Sequence, residues 1–162
     1  MLLYILRHAE AEALSPSGLD ADRALTDAGT KRMKLAARAI ARMEPAFDAI
    51  FVSPLLRARQ TAEPVAAACR FKDELTITEA LAPGSDPAIL LEELEALGCT
   101  SVLVVGHEPH LGSLVGRLVS GRTDVEVPMK KASLAVFEIH PHLGTGRAEL
   151  KSYLPPRLLE RL

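Results

Sequence analysis

The stretch that decides the fold is Leu-Leu-Tyr-Ile-Leu-Arg-His at residues 2–8, an apolar run that ends abruptly in an arginine and a histidine. Five consecutive apolar residues, including Tyr4 and Ile5, suit a strand covered on both faces of a parallel sheet better than a short helix. Ligands of open α/β sheets bind beyond the carboxyl ends of such strands. Arg7 and His8 are therefore predicted to lie where a ligand binds, although an isolated pair of this kind more often caps a sheet.

A second predicted strand ends in the same way. Residues 101–106 read Ser-Val-Leu-Val-Val-Gly and run directly into His107. Gly106 permits a close backbone approach and Pro109 can open a helix, so His107 is predicted in a strand-to-helix turn. Helix N-termini attract anions. Two histidines at the ends of two buried strands, one of them beside an arginine, predict a site for a phosphate-sized anion.

Length and charge limit the classes of protein to consider. The 162 residues suffice to bury one core and are predicted to form a single domain, 1–162. Lys and Arg number 19 against 21 Asp and Glu, for a formal charge of −2. No basic block interleaved with aromatic residues occurs, which disfavours nucleic-acid binding.

The spacing of the cysteines and the apolar runs of the chain indicate in which cellular compartment the protein is expected. Cys69 and Cys99 have neither metal-ligand nor redox-motif spacing, which favours reduced, apolar side chains, although a disulfide between them stays open. The apolar N-terminus is too short for a secretory signal and lacks a basic flank. No apolar run long enough to span a membrane occurs elsewhere in the sequence. We therefore expect a cytoplasmic protein without a membrane segment.

Strands and helices are predicted to alternate along the chain. A loop over 11–25 is followed by a predicted helix from its N-cap Thr26 to Met43, whose apolar face carries Met33, Ala36, Ala37, Ile40 and Ala41. The middle of the chain is predicted to form a strand over 47–52, a helix over 55–68 that is kinked or broken at Pro64, a strand over 75–78, and a helix over 87–97 between the cap Asp86 and Gly98. The last predicted elements are a helix over 111–119, strands over 132–139 and 148–154 around a turn at 140–144, and a terminal helical turn within 155–162.

This alternation predicts an α/β fold, a mixed and mostly parallel sheet with helices on both faces. The last two strands have no helix between them, which indicates an antiparallel hairpin at one end of the sheet.

Four blocks of sequence carry a more specific signal: Arg7-His8-Ala9, Arg23-Ala24-Leu25-Thr26-Asp27-Ala28-Gly29, Ser53-Pro54-Leu55-Leu56-Arg57-Ala58-Arg59-Gln60-Thr61-Ala62, and Val104-Val105-Gly106-His107-Glu108-Pro109. In this order they resemble the histidine phosphatase superfamily and, within it, the small SixA-type phosphohistidine phosphatases. One tripeptide alone would be a weak signal, whereas four blocks in sequence are a strong one. The resemblance implies a three-layer, phosphoglycerate mutase-like sandwich and a metal-independent phosphatase without a cofactor.

The resemblance also implies roles for single residues. His8 would attack phosphorus and carry a phosphohistidine intermediate, Arg7, Arg57 and His107 would hold the phosphoryl oxygens, and Arg23 would contact substrate at the pocket mouth. The chemistry of these residue types agrees. Phosphoryl transfer needs positioning and positive charge on the equatorial oxygens, and arginine offers a bidentate fork. A histidine with an ordinary pKa of ~6.5 is available as the neutral nucleophile at neutral pH.

The leaving group is the open question. Larger relatives place an acid beside the site, whereas this chain offers only Glu79 and Asp86, which we interpret as a strand-end residue and a helix cap. A phosphorylated imidazole can take its proton from solvent, so the missing acid favours phosphohistidine on a protein as substrate. Small phosphate esters or anhydrides are the alternative, and a non-catalytic module that binds a phosphorylated partner is a third. A monomer is favoured.

Several other polar residues have simpler interpretations. Glu10 could orient His8 or an arginine, but a solvated loop carboxylate is at least as good an account. Arg59 points elsewhere on its helix and is predicted to be a surface cation. His110 follows His107 by three residues, yet no third zinc ligand is obvious. His140 and His142 are predicted to be exposed loop residues.

Overall fold

The computed structural model describes residues 1–140 and 148–162. In this part of the chain the strands are β1 (Leu2–Arg7), β2 (Ala49–Val52), β3 (Thr76–Ile77), β4 (Ser101–Gly106), β5 (Leu134–Glu138) and β6 (Glu149–Leu154). They form one sheet in the order β3-β2-β4-β1-β5-β6. The first four strands are parallel, and β5 and β6 are antiparallel to their neighbours. The predicted mixed, mostly parallel sheet and its antiparallel final pair are confirmed.

Helices cover both faces of this sheet. They are α1 (Asp27–Arg42), α2 (Leu56–Ala68), α3 (Pro87–Leu97), α4 (His110–Ser120) and a short α5 (Pro156–Leu159). Because side chains alternate along a strand, Tyr4 and Leu6 of β1 pack with α1, α2 and α5, whereas Leu3 and Ile5 pack with α3 and α4. The central strand is therefore buried on both sides, which explains its unbroken apolar run.

The helix caps that the sequence predicted are present in the structure. The Thr26 side chain accepts a hydrogen bond from the Gly29 N–H at 2.9 Å, and Asp86 accepts one from the Ala88 N–H at 2.8 Å. Gly98 ends α3 with a φ of +63°, a left-handed conformation that favours glycine. On the predicted apolar face of α1, Met33, Ala36, Ala37 and Ile40 are buried and Ala41 is half-buried; Ala39 is buried as well.

The sequence predicted a kink or a break at Pro64, and the structure shows that the helix does not break there. The helix α2 continues through it from Leu56 to Ala68. Thr61, Ala62 and Val65 on either side of the proline are buried. We attribute the continuity to this packing, which offsets the backbone hydrogen bond that proline cannot donate.

Four predicted strands are shorter than expected, the last of them, β6, by one residue. β2 begins at Ala49 because Asp48 turns its carboxylate to the N–H groups of Thr100 and Ser101, at 2.6 and 2.9 Å. β5 begins at Leu134 because Ala132 has a φ of +57°, outside the extended region. β3 comprises only Thr76–Ile77. The predicted turn at 140–144 lies outside the described residues apart from His140.

Two further expectations concern the thiols and the membrane. Both Cys69 and Cys99 are free, as their spacing predicted. In the described ranges, no helix has the length and apolar character needed to cross a bilayer.

Candidate active site

The two histidines of the sequence prediction meet at neighbouring strand ends. β1 and β4 pair in parallel with Arg7 opposite Gly106, so the residues that follow both strands emerge side by side. The His8 N–H donates to the Gly106 carbonyl at 3.0 Å. The rings of His8 and His107 lie with centroids 4.8 Å apart, and only 7% and 2% of these residues is exposed. The sheet thus builds a buried pair of imidazoles at its carboxyl end.

The tautomer of His8 follows from one contact. Its Nδ1 lies 2.6 Å from the carbonyl oxygen of Ala9. A carbonyl can only accept, so Nδ1 carries the ring proton and Nε2 keeps its lone pair. Burial lowers the pKa of His8 to about 4, and the charges of Arg57 and Arg7 act in the same direction against the Ala9 hydrogen bond. At neutral pH the ring is therefore uncharged.

His107 is held differently. Its Nε2 lies 2.7 Å from the Ser53 hydroxyl oxygen, at the end of β2, and its Nδ1 is buried without a hydrogen-bond partner in residues 1–140 and 148–162. Burial lowers the pKa of His107 to about 3, assisted by His8 and Arg57. His107 is therefore also neutral at neutral pH and keeps one ring N–H to donate.

Arg57 supplies a buried positive charge from the first turn of α2. The residue is only 6% exposed, and its guanidinium donates twice to Asp20: Nη1 to the backbone carbonyl at 2.8 Å and Nη2 to the carboxylate at 3.0 Å. A cation at a helix N-terminus opposes the helix dipole and needs a compensating anion. Asp20 provides that anion in this structure.

Arg7 comes to the site from the end of β1. Its Nη1 donates to the carbonyl of Met129, while its Nε is buried without a partner in the described part of the chain. Burial lowers the pKa of Arg7, and the nearby Glu108 carboxylate opposes that shift. The unpartnered Nε–H marks hydrogen-bonding capacity that the protein itself leaves unused.

Arg23 lies on the loop that carries Asp20. Its Nη1 donates to the Asp20 carboxylate at 2.7 Å and its Nε to the Glu12 carbonyl at 2.6 Å. Asp20 therefore joins the two arginines Arg23 and Arg57, whose hydrogen bonds hold the pKa of this carboxyl below its usual range. Sequence reasoning missed Asp20: its spacing of three residues from Arg23 indicates the local ion pair but not the contact with Arg57.

The first three sequence blocks contact one another around this site, and the fourth joins them through the contact of His107 with Ser53. The Ala9 N–H donates to the Thr61 hydroxyl at 3.2 Å, and that hydroxyl donates to the Arg57 carbonyl at 2.7 Å. The Leu25 N–H donates to the Gln60 side chain at 2.7 Å. Gly29 lies so close to the Glu10 carbonyl that a Cβ would stand 2.2 Å from its oxygen. These contacts use the side chains of Thr61 and Gln60 and the missing Cβ of Gly29, so they account for these three residue types.

The other candidate acids form no hydrogen bond with His8 or His107. Asp86 caps α3 and forms an ion pair with Arg117 at 3.6 Å, as its interpretation as a cap predicted. Glu79 is exposed, in a 3-10 turn over Glu79–Leu81 rather than at a strand end. Glu10 is also exposed and contributes its carbonyl to the Thr26 N–H. The carboxylate that acts on the pKa of His107 is that of Asp20.

The remaining histidines and Arg59 lie apart from this chemistry. Arg59 is exposed, as predicted. His110 is buried, with neither ring nitrogen hydrogen-bonded in the described residues; the Ala80 carbonyl is near enough to act on its pKa but does not complete a bond. His140 is half-exposed beside Glu138, and His142 is outside the described residues.

One group of described side chains could converge on a metal ion, namely Glu138, His140 and Glu149. It lies at the opposite end of the sheet from His8, because Glu138 pairs with Leu2 at the start of β1. The Lys151 ammonium already binds both carboxylates of the group, at 3.2 and 3.0 Å. This arrangement is a surface ion-pair network.

Comparison with known proteins agrees with this geometry. Residues 3–82 match the sequence profile of the histidine phosphatase superfamily (branch 1). The chain is 33% identical over 126 residues to the Escherichia coli phosphohistidine phosphatase SixA, with 76% of this chain and 77% of that protein covered. An uncharacterized Picosynechococcus protein is 39% identical over 137 residues, with 83% and 82% covered. The structure of the protein histidine phosphatase SixA complexed with tungstate superposes with a TM-score of 0.86 at 27% identity, covering 97% of this chain and 98% of that one.

Proposed function

This chain belongs to the histidine phosphatase superfamily and is a phosphatase, and we propose that it hydrolyses phosphohistidine through a covalent intermediate on His8. The observation that carries the proposal is the fixed tautomer of His8. With Nδ1–H donated to the Ala9 carbonyl, Nε2 presents its lone pair beside His107 and the guanidinium of Arg57. A site that only bound phosphate would not need a neutral, oriented nucleophile.

In the first step Nε2 of His8 attacks phosphorus while the bond between phosphorus and the substrate imidazole breaks. The leaving nitrogen takes the electron pair, and a proton on the remote ring nitrogen makes the departing imidazole neutral. The phosphorylated His8 ring then bears a positive charge, which the Ala9 carbonyl stabilises through Nδ1–H at 2.6 Å. Charge is conserved, because the substrate ring gives up the positive charge that His8 acquires.

In the second step water attacks phosphorus and the bond to Nε2 breaks. His8 recovers the electron pair and returns to its neutral form, and dihydrogen phosphate leaves with both protons of the water molecule. Arg7, Arg57 and a ring N–H of His107 hold the phosphoryl oxygens in both steps. Such fixed donors in a water-poor site stabilise developing charge without reorganising.

The charge state of Asp20 supports phosphohistidine over phosphate esters. Its pKa is held low by Arg23 and Arg57, so at neutral pH it has no proton to donate to an alkoxide. An imidazole leaving group needs no such acid. The partner that fits is a phosphorylated protein, for example a signalling phosphotransfer protein, whose phosphohistidine enters the site at the carboxyl ends of β1 and β4.

Trapping the intermediate tests this proposal. The purified protein is mixed with a phosphohistidine peptide labelled on phosphorus, quenched, and assayed for acid-labile and acid-stable label. We expect acid-labile label on His8, none in His8→Asn, and wild-type labelling in the control His140→Asn, which alters a histidine at the far end of the sheet.

Substrate preference separates the remaining alternatives. Faster turnover of phosphoserine or of an acyl phosphate than of the phosphohistidine peptide would favour a phosphatase of small esters or anhydrides. If His8→Ala changed only the affinity for the peptide and wild type showed no turnover, the chain would be a binding module.

A further inference from the structure

We propose that Asp20 is a positioning residue, which holds the guanidinium of Arg57 in the orientation that binds a phosphoryl oxygen. The inference rests on the proposed function, in which Arg57 contacts the phosphoryl group. None of the four sequence blocks includes Asp20, and it contacts no group of His8 or His107 by hydrogen bond. Its hydrogen bonds reach the proposed phosphoryl-binding groups through Arg57, and its negative charge opposes the lowering of the pKa of His107.

The geometry of this contact is unusual in using both the main chain and the side chain of one residue. Asp20 begins the 3-10 turn Asp20–Asp22, and this turn presents its carbonyl and its carboxylate to two different nitrogens of Arg57, at 2.8 and 3.0 Å. Two acceptors on one residue fix the plane of a guanidinium, which a single acceptor leaves free to rotate. The guanidinium of Arg57 has five N–H donors, so the three that do not bond to Asp20 remain available to other partners.

Arg23 keeps the carboxylate in place. Its Nη1 donates to the second carboxylate oxygen of Asp20, and its Nε is anchored on the Glu12 carbonyl. The Asp20 side chain is 59% exposed and would otherwise sample several rotamers, at an entropic cost to any fixed contact. The order of support therefore runs from Glu12 through Arg23 and Asp20 to Arg57.

The rival account is that Asp20 occupies the place of a phosphoryl oxygen and must leave when substrate binds. The backbone contact argues against it, because the Asp20 carbonyl could leave Arg57 only if the 3-10 turn moved. The two accounts predict opposite signs. A competitor, once removed, leaves phosphate bound more tightly, whereas loss of a positioning residue weakens phosphate binding.

Calorimetric titration with inorganic phosphate, together with steady-state kinetics on the phosphohistidine peptide, tests the inference in wild type, Asp20→Ala and Asp20→Glu. We expect Asp20→Ala to weaken phosphate binding and to lower kcat/KM by about 10-fold to 100-fold, with partial recovery in Asp20→Glu. The matched control is Asp22→Asn, whose carboxylate accepts a hydrogen bond from the Ser17 hydroxyl in the same loop and from no other group among residues 1–140 and 148–162. It is expected to behave as wild type.

A double-mutant cycle distinguishes positioning from a loss of folding. In an Arg57→Lys background, which lacks the planar fork, Asp20→Ala should have an effect of less than about 3-fold. Tighter phosphate binding in Asp20→Ala, unchanged kinetics, or full additivity with Arg57→Lys would each overturn the inference. Wild type that failed to bind phosphate at all would instead overturn the proposed function.

Discussion

The segments that follow β1 and β4 start from equivalent positions in the sheet and hold their histidines in different ways. After β1, the proton of His8 is fixed by a backbone carbonyl one residue away. After β4, His107 contacts the hydroxyl of Ser53, which belongs to a third strand end and can either donate or accept. The first segment imposes one tautomer, and the second permits two.

This difference matches the two proposed tasks. A nucleophile reacts through one particular lone pair, so its tautomer has to be unique. A hydrogen-bond donor to a phosphoryl oxygen only needs a proton on the nitrogen that faces the oxygen, and a hydroxyl partner can adapt to that requirement. The pKa values of both histidines are lowered, to about 4 and about 3, so burial is common to both and the partner atom distinguishes them.

The largest expected effect on kcat comes from replacing His8 or His107 by asparagine, one at a time. His8→Asn removes the nucleophile and is expected to lower kcat by roughly four orders of magnitude or more. His107→Asn removes one donor and is expected to lower kcat by about 10²-fold to 10³-fold while label still accumulates on His8. Rapid-quench labelling measures both. Equal residual labelling in the two variants would remove the distinction between nucleophile and donor.

The next effect is on stability as the pH falls. In the unfolded chain His8 takes up a proton below about pH 6.5, whereas in the folded chain it stays neutral down to its pKa of about 4. The unfolded state therefore binds more protons between these values, and the free energy of unfolding decreases as the pH falls from 6.5 to 4, by about 3 kcal/mol from this group.

Urea unfolding at pH 7, 6, 5 and 4.5 measures that slope. His8→Asn should flatten it by this amount, and His140→Asn, at a half-exposed site, should leave it unchanged. In the folded enzyme the same low pKa keeps His8 unprotonated, so kcat/KM should show no acid limb from this group between pH 7 and 5. A limb near pH 6.5 would mean that His8 titrates as an exposed histidine does.

Ser53 offers a smaller test of how His107 is held. Ser53→Ala leaves Nε2 without its partner, and we expect kcat to fall about 10-fold and the free energy of unfolding to fall by about 1 kcal/mol. The control is Ser120→Ala, which removes a serine hydroxyl bonded to the Gly116 carbonyl within α4. It should affect stability to a similar extent without a change in kcat. Unchanged kcat in Ser53→Ala would show that the hydroxyl has no part in orienting the ring.

The sequence predicted the ends of strands better than the segments between them. His8 and His107 could be placed because a strand buried on both faces is an unbroken apolar run, which is easily recognised in a sequence. The polar residues that follow such a run lie beyond the carboxyl end of the strand, where the ligands of these sheets bind. Arg57 was identified through the resemblance of its sequence block, residues 53–62, to the histidine phosphatase superfamily.

Asp20, Ser53 and the continuity of α2 through Pro64 could not be predicted in the same way. Asp20 reaches Arg57 because of the path of a loop that has no repeating pattern, and the Ser53 contact joins residues 54 positions apart in the chain. Pro64 has a strong local preference against helix, which buried neighbours on α2 override. Each of these features depends on tertiary contacts that local preferences do not encode.

The smallest expected effect concerns His110, three residues after His107 on the same segment. It is 3% exposed, and neither ring nitrogen completes a hydrogen bond in the residues described. A buried polar group without a partner costs free energy, so His110→Leu, of similar volume, should raise the free energy of unfolding by about 1 kcal/mol.

Chemical denaturation and steady-state kinetics separate His110 from its neighbour. His110→Leu should keep kcat within about 2-fold, because the histidines that the proposed mechanism uses are His8 and His107. The surface control His140→Leu should change stability by less than about 0.5 kcal/mol. A loss of stability in His110→Leu would indicate that a bound water satisfies the buried ring, since such waters are costly to remove. A loss of kcat without a loss of stability would extend the reactive part of this segment from His107 to His110.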